Sequence, residues 1–433
     1  LSILIRTFGK SLMDNFNYKV DQLHVEDVAI SDIASSVGTP FYVYSQSSIE
    51  ENYRDFENAM SGTKYLICYA MKANSNQAVL KILGNLGAGM DVVSGGEYLR
   101  AKAAGIPSDR IVFSGVGKTR DEISLAIKGG IRQFNVESEP ELIEISKVAS
   151  ELGVEVPITI RINPDVDAKT HSKISTGKSE NKFGIPIVSA RKTYAFAASL
   201  QGIRIIGIDV HIGSQLTDLT PYKDAFTKIR QLTEELRVDG HNIFRLDLGG
   251  GLGISYESSN NNIPSPDDYG CLIKEIFDGL DCELELEPGR WIVGNAGLMI
   301  SSVIYPKEGE GRNFLIIDAA MNDLLRPALY DAYHDLMPVN KPSDGIELEK
   351  YDIVGPVCET GDTFAIQRAI PNMAPGELLA FRSAGAYGAV MASEYNSRPL
   401  IPEVLVSGNK FEVIRARPSI QDIISRDHLP DWL

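Results

Sequence analysis

Tyr65-Leu66-Ile67-Cys68-Tyr69-Ala70-Met71-Lys72-Ala73-Asn74-Ser75-Asn76 is an apolar run of strand length that stops at a lysine and passes into turn residues. A buried strand giving way to a loop in this manner delivers the Lys72 amine into whatever cleft lies at the strand's end. A stem dehydrated among apolar neighbours disfavours the ammonium and makes a neutral, nucleophilic amine more accessible. That is what a Schiff-base lysine requires. Taken alone, the pattern suits a lysine snorkelling to solvent better; the surrounding sequence decides between the two.

From Phe41 onward, short β-rich runs alternate with longer amphipathic segments. Strands are expected at Tyr65–Tyr69, Met90–Ser94, Arg110–Ser114, Gln133–Glu137, Pro157–Ile162, Ile205–His211, Phe244–Leu248 and Glu283–Glu287. Between them, Asn76–Leu86, Gly96–Ala104, Thr119–Lys128, Glu139–Leu152 and Pro221–Arg237 carry apolar residues at helical spacing. Ser138-Glu139-Pro140-Glu141 reads as a cap followed by an early-helix proline, with acids in the first turn. Eight such units predict an α/β fold, a parallel (β/α)8 TIM barrel, ahead of an open doubly wound sheet.

Beyond Arg290 the texture changes to strand-like runs with turn residues and few long helices. Leu298–Tyr305, Phe314–Asp318, Asp352–Val354, Leu378–Phe381, Glu403–Val406 and Phe411–Arg415 predict a C-terminal, mainly antiparallel β domain. The domain reading is a barrel over 41–295 and a β domain over 296–433, with an N-terminal segment, 1–40, expected to pack with the β domain. The polar stretch Asn163–Phe183 is expected to rise over the catalytic face after the fifth strand.

Composition narrows the function. A chain of 433 residues with 43% hydrophobic content can bury a large core. No apolar run nears the roughly 20 residues that span a bilayer, and Arg6 interrupts the opening apolar residues too early for a signal peptide. The 42 basic against 58 acidic residues, a net charge of −16, argue against a nucleic-acid partner and for a soluble cytoplasmic protein. Cys68, Cys271, Cys282 and Cys358 show neither paired metal-ligand spacing nor the density of a disulfide framework, so a reducing compartment and no metal site are expected.

In a (β/α)8 barrel, catalytic residues come from the C-terminal ends of the strands, and phosphate often sits at the loops after strands seven and eight. The conspicuous residues fall there. Lys72 ends the first strand, Asp91 lies in the second, and His211-Ile212-Gly213-Ser214-Gln215 ends the sixth. Gly249-Gly250-Gly251-Leu252-Gly253 follows the seventh, and Glu287-Pro288-Gly289-Arg290 closes the eighth. Singly, each has a plain structural reading: the glycines make a strand-to-helix turn, His211 packs in the core, and Glu287 pairs with Arg290. The turn is not the dinucleotide fingerprint, because Ile254 stands at the third glycine's place. Together the residues fit pyridoxal 5′-phosphate. Lys72 suits the imine, the glycine turn and Ser214 the phosphate, His211 the ring face, and buried Glu287 the ring nitrogen.

Further motifs follow in order: Met321-Asn322-Asp323-Leu324-Leu325-Arg326-Pro327-Ala328-Leu329-Tyr330, Cys358-Glu359-Thr360-Gly361-Asp362 and Gly385-Ala386-Tyr387-Gly388. With these, and with Asp91-Val92-Val93-Ser94-Gly95-Gly96-Glu97, the chain from about Phe41 to its C-terminus resembles the barrel-type pyridoxal-phosphate decarboxylases. These are the alanine racemase/ornithine decarboxylase-like enzymes, and the resemblance is to the branch acting on meso-2,6-diaminopimelate. It implies decarboxylation of that substrate to L-lysine and CO2, the last step of lysine biosynthesis, by a homodimer with shared active sites.

Residue by residue, the resemblance implies that Lys72 carries the cofactor as an imine, His211 stacks on its ring, and Glu287 keeps the ring nitrogen protonated. Asp91, Ser214, Gly250, Gly251, Pro288, Gly289, Arg290 and Tyr387 would surround the cofactor. Arg290, Arg326 and Tyr330 would hold the substrate's distal carboxylate, Glu359 its distal amine with Tyr387 alongside, and Cys358 would return a proton after CO2 leaves. Thr360 stands where the family usually has serine; both carry a hydroxyl.

Three alternatives share the fold and cofactor. A decarboxylase of the ornithine or arginine type would bring an amine-ended substrate against the positive charge of Arg326. A racemase of this resemblance would place an arginine, not Glu287, at the ring nitrogen. A cofactor-binding protein without the activity would resemble the barrel alone and lack Cys358, Glu359 and Tyr387. A sugar-phosphate barrel enzyme, from a different class, would show no imine absorbance.

Overall fold

The eight expected parallel strands form: β1 (Tyr65–Ala70), β2 (Gly89–Val92), β3 (Ile111–Phe113), β4 (Gln133–Val136), β5 (Val156–Asn163), β6 (Ile203–Asp209), β7 (Arg245–Asp247) and β8 (Glu283–Leu286). The computed structural model describes residues 15–168, 176–177, 181–257 and 263–433. Each strand pairs in parallel with the next. β8 returns to β1 through Leu284↔Tyr65 and Leu286↔Ile67, which closes the barrel. Closure explains the continuous apolar run in β1: a strand covered on both faces is buried at nearly every position, and here it is buried from Leu66 on.

The barrel interior is not the usual packing of branched apolar side chains. Gln133, Asn135, Thr159, Arg161, Asp209, Asp247, Glu285 and Glu287 are all buried. Asn135 on β4 donates to Asp247 at the end of β7 at 2.9 Å, so the bond joins strands that are not neighbours and crosses the interior. A buried polar layer is tolerated when its members satisfy one another. Thr159 Oγ1 and Gln133 Nε2 both donate to Asn135 Oδ1, at 2.6 and 2.9 Å.

The expected helices stand between the strands as Gln77–Asn85, Gly95–Ala103, Arg120–Lys128, Glu139–Leu152 and Thr220–Val238. Glu139–Leu152 starts as the sequence indicates. Ser138 Oγ accepts from Glu141 N at 3.3 Å, and the helix ends at Gly153 with φ 68°. Ser138→Ala removes that cap and is expected to cost about 1 kcal/mol, read as a small drop in Tm with activity retained.

The chain divides into two units, the barrel over Ile49–Gly294 and a second unit that joins the described residues up to Ser48 with Asn295–Leu433. The boundary therefore falls later than Phe41. Phe41–Ser45 pairs antiparallel with Gly297–Ile300 and parallel with Glu403–Val406, placing it in the second unit's sheet. That sheet is mainly antiparallel, as expected, with a parallel pairing also between Arg312–Ile317 and Leu348–Val354. Thr363–Pro371, which the sequence reading passed over, adds a strand antiparallel to Leu348–Val354. Phe16, Leu23, Val25, Ile30 and Ile33 share one apolar core with Phe41, Val43, Leu298, Ile300 and Val404.

Of the stretch expected over the catalytic face, 169–175 and 178–180 lie outside the described residues, as do 1–14 and 258–262. Among the described residues no helix is long and apolar enough to cross a membrane.

Candidate active site

At the end of β1 the chain turns through Met71–Ala73, with Met71 and Ala73 buried and Lys72 between them. The Lys72 side chain is 40% exposed, and its Nζ lies 3.5 Å from Oδ2 of buried Asp91. This corrects the expectation of a dehydrated stem. The strand ends at the barrel mouth, so its flanking residues pack inward while the lysine stays open. What the fold supplies is access for the amine on a stiff support, beside a carboxylate.

His211 follows β6 and is half-buried, and Gly250 N donates to its Nδ1 at 3.2 Å. With Nδ1 accepting, a neutral ring carries its proton on Nε2. Burial, reinforced by the cations of Arg161 and Lys72, holds the imidazole well below its usual range, so it is neutral at pH 7. Gly251 has φ 107°, and a Cβ there would lie 2.2 Å from the Gly213 carbonyl oxygen, so only glycine lets the turn lie against the 211–215 segment. Leu216 N donates to the Gly251 carbonyl at 2.9 Å and locks the two together. Arg290 Nη2 donates to Ser214 Oγ at 2.9 Å, and Arg290 Nη1 donates to the Tyr256 hydroxyl. Residues far apart in the chain thus meet beside a glycine turn, with backbone N–H groups, hydroxyls and a guanidinium, a donor set suited to a phosphate.

Glu287 accepts from Asn135 Nδ2 and from Ser114 Oγ, both at 3.3 Å, rather than forming the ion pair with Arg290 that the plain reading supplies. Asp209, Asp247 and Glu287 each bring an oxygen within 4.8 Å of the others. Three buried carboxylates this close do not all ionise at neutral pH. Burial first, then the neighbouring charges, pushes Glu287 and Asp209 well above the usual carboxylate range and Asp247 up to about 7.

A cation set against Glu287 would favour its ionised form, as a protonated ring nitrogen would. Buried Asp91 Oδ1 and Asp209 Oδ1 make no hydrogen bond among the described residues, so acceptors remain in this interior. The lysine, the phosphate donors and the carboxylate, all at the C-terminal ends of the barrel strands, fit pyridoxal 5′-phosphate. The three carboxylates also have metal-ligand spacing, but Asp247 already accepts from Asn135 Nδ2 and Gly249 N.

A second group of expected residues lies on the other unit. Arg326, buried, opens the short helix Arg326–Tyr330, and its Nη1 lies 2.9 Å from His334 Nε2. Tyr330 is half-buried at the helix end. Cys358 is a free, exposed thiol, and exposed Glu359 accepts from the Tyr395 hydroxyl. Asp362 ties these motifs together: Met321 N donates to its Oδ1 at 2.6 Å and Val357 N to its Oδ2 at 2.7 Å. Thr360 is exposed, so its extra methyl meets no core. Half-buried Tyr387 has φ 57°, a backbone state rare for a bulky residue and most often held at functional sites.

The sequence reading passed over Asn135, Arg161, Asp209, Asp247, Tyr256 and His334, and quoted Asp362 within a motif without giving it a role. A signal for some of them was present: Gln133, Asn135 and Glu137, then Thr159, Arg161 and Asn163, place polar residues at every second position of strands that must be buried.

The family described as pyridoxal-dependent decarboxylase, pyridoxal binding domain, matches residues 46–294, which coincides with the barrel unit. The diaminopimelate decarboxylase of Pseudomonas aeruginosa is 49% identical over 417 residues, covering 96% of this chain and 99% of its own. The crystal structure of diaminopimelate decarboxylase from M. jannaschii in co-complex with L-lysine superposes with a TM-score of 0.93 at 38% identity, covering 98% of this chain and 99% of its own. That of the Helicobacter pylori enzyme complexed with L-lysine superposes with a TM-score of 0.88 at 42% identity, covering 92% and 98%.

Proposed function

This chain belongs to the diaminopimelate decarboxylases, within the pyridoxal-dependent decarboxylases, and on that premise we propose how its residues divide the work. It is a pyridoxal-phosphate-dependent lyase that converts meso-2,6-diaminopimelate to L-lysine and CO2 at the end of lysine biosynthesis. When bound, pyridoxal phosphate supplies an electron-accepting ring conjugated to the substrate carbon that loses CO2. Lys72 provides the amine for covalent attachment. Glu287, oriented by Asn135 and Ser114, keeps a proton on the ring nitrogen. Neutral His211, its plane set by Gly250 N–H, covers a ring face without adding charge. Ser214, Gly251 and Arg290 bind the phosphate, with Asp91, Pro288, Gly289 and Tyr387 completing its surroundings.

Arg326 and Tyr330 hold the distal carboxylate, Glu359 binds the distal ammonium, and Cys358 Sγ delivers the proton that replaces CO2. The observation that carries this division is the Asp362 clamp, which binds the stretch leading to Arg326 and the Cys358-Glu359 loop into one piece at 2.6 and 2.7 Å. The distal end of the substrate carries a carboxylate and an ammonium, so it calls for a cation from one motif and an anion from the other. Comparing kcat/KM for meso-diaminopimelate with ornithine, arginine and lysine tests the assignment. A preference for an amine-ended substrate would overturn it.

The active site is, on this reading, shared across a homodimer in the cytoplasm. Cys358 and Glu359 are exposed in the single chain and lie on a different unit from Lys72, as groups serving a partner's site would. Two-fold pairing would make two equivalent composite sites. Lys72→Ala and Glu359→Ala subunits, each inactive, are expected to regain roughly a quarter of wild-type activity when re-paired at random, because half the dimers are mixed and each mixed dimer has one intact site. No recovery, with mixed dimers demonstrated, would place both residues in one chain's site.

A further inference from the structure

His334 carries no role in the division of labour above, yet it is 2% exposed and sits against Arg326, itself 6% exposed. The local chain path brings them together. The helix Arg326–Tyr330 is stopped by Asp331 in the left-handed region, φ 51° and ψ 33°, and Ala332 N donates back to the Arg326 carbonyl at 3.4 Å. The chain therefore doubles back on the helix start and then enters the strand Leu336–Pro338, which pairs with Leu379–Phe381. His334 is pinned from the main chain as well, its carbonyl accepting from Arg368 Nη1 at 3.1 Å.

Two contacts define the ring's chemical state. Its Nδ1 lies 2.8 Å from the Arg382 carbonyl oxygen, and its Nε2 lies 2.9 Å from Arg326 Nη1. A carbonyl oxygen only accepts and a guanidinium only donates, so a single species makes both bonds: the neutral imidazole with its proton on Nδ1 and its lone pair on Nε2. A neutral acceptor in this place orients the guanidinium without adding a negative charge to it.

We propose that His334 is a positioning residue for substrate selection, acting through Arg326 to hold the guanidinium in the orientation that receives the distal carboxylate. The inference rests on the assignment of Arg326 given above. It adds what that assignment lacks, a contact that fixes the geometry of a buried arginine.

The two bonds of His334 can be separated in the holoenzyme by two amide variants. In His334→Gln the amide reaches the place of Nε2 and can accept from Arg326. In His334→Asn it reaches only the place of Nδ1 and can donate to the Arg382 carbonyl. His334→Asn is expected to raise the KM for meso-diaminopimelate by roughly tenfold, the scale of a lost hydrogen bond to a charged group, with kcat little changed. His334→Gln is expected to keep KM within about threefold of wild type.

The inhibition constant for L-lysine, which keeps the distal carboxylate and amine after CO2 has left the other end, should rise in step with KM. A general structural role would lower Tm in both variants without this split. If Arg326→Ala raises KM and the inhibition constant but the Asn and Gln variants do not differ, His334 is not the positioning residue while Arg326 keeps its assignment. If Arg326→Ala alters neither constant, the assignment of Arg326 itself falls, and the proposal with it.

Discussion

Lys72→Ala is expected to abolish CO2 release from meso-diaminopimelate, by at least about 10³-fold, and to leave no cofactor fixed to the chain after borohydride reduction. Lys72 lies at the end of β1 between buried Met71 and Ala73, so the strand presents the amine while its neighbours anchor it. Its side chain is 40% exposed, and truncation opens no core cavity. Tm should therefore stay close to wild type, and the phosphate and ring contacts of Ser214, Gly251, Arg290 and Glu287 should still bind cofactor reversibly. This combination separates loss of covalent attachment from loss of fold. Labelled cofactor fixed to a different lysine after reduction would overturn the assignment.

Arg326→Ala should lower kcat/KM for meso-diaminopimelate by roughly 2–5 kcal/mol, about 30- to 5,000-fold, the cost of leaving a desolvated carboxylate without its charged partner. Arg326 is 6% exposed, which is why the larger end of that range is open to it; an arginine in solvent would contribute far less. The effect should be selective. A substrate ending in an amine alone never used the guanidinium and should lose little or even gain. An unchanged kcat/KM for meso-diaminopimelate would sink the idea. Some loss of stability accompanies the change, because His334 Nε2 would lose its donor.

Much of the barrel was legible because its signals are local. A strand covered on both faces, such as β1, reads as an apolar run, and a turn follows it within a few residues. The expected runs therefore agree with β1–β8 to within a few residues. The Ser138 cap and the glycine at 153 mark one helix start and stop by backbone chemistry that neighbouring residues supply. The placing of Lys72, His211, the glycine turn and Glu287 at strand ends follows from the same local reading.

Other features depended on residues distant in sequence. Phe41-Tyr42-Val43-Tyr44-Ser45 reads as a strand, but nothing within it says that its neighbours are Gly297–Ile300 and Glu403–Val406 rather than the barrel that follows. β-propensity describes a surface that fits a pleat, not the partner. The polar layer around Glu287 left only a period-two trace at Asn135 and Arg161, and its chemistry, with Asp209, Asp247 and Glu287 bringing oxygens within 4.8 Å of one another, appears once the strands close on one another. Lys72 was placed by sequence, but its exposure was not, since exposure depends on where the barrel mouth opens.

What the sequence by itself determined, then, is the eight barrel strands, their order and the residue types at the strand ends, because periodicity, caps and turns act over a few residues. What only the tertiary structure decided is the sheet that takes Phe41–Ser45, the partners of Glu287 and Arg290, and the tautomer of His334. Each of these depends on a pairing across the fold whose free energy is shared among many contacts, and no single stretch of chain encodes it.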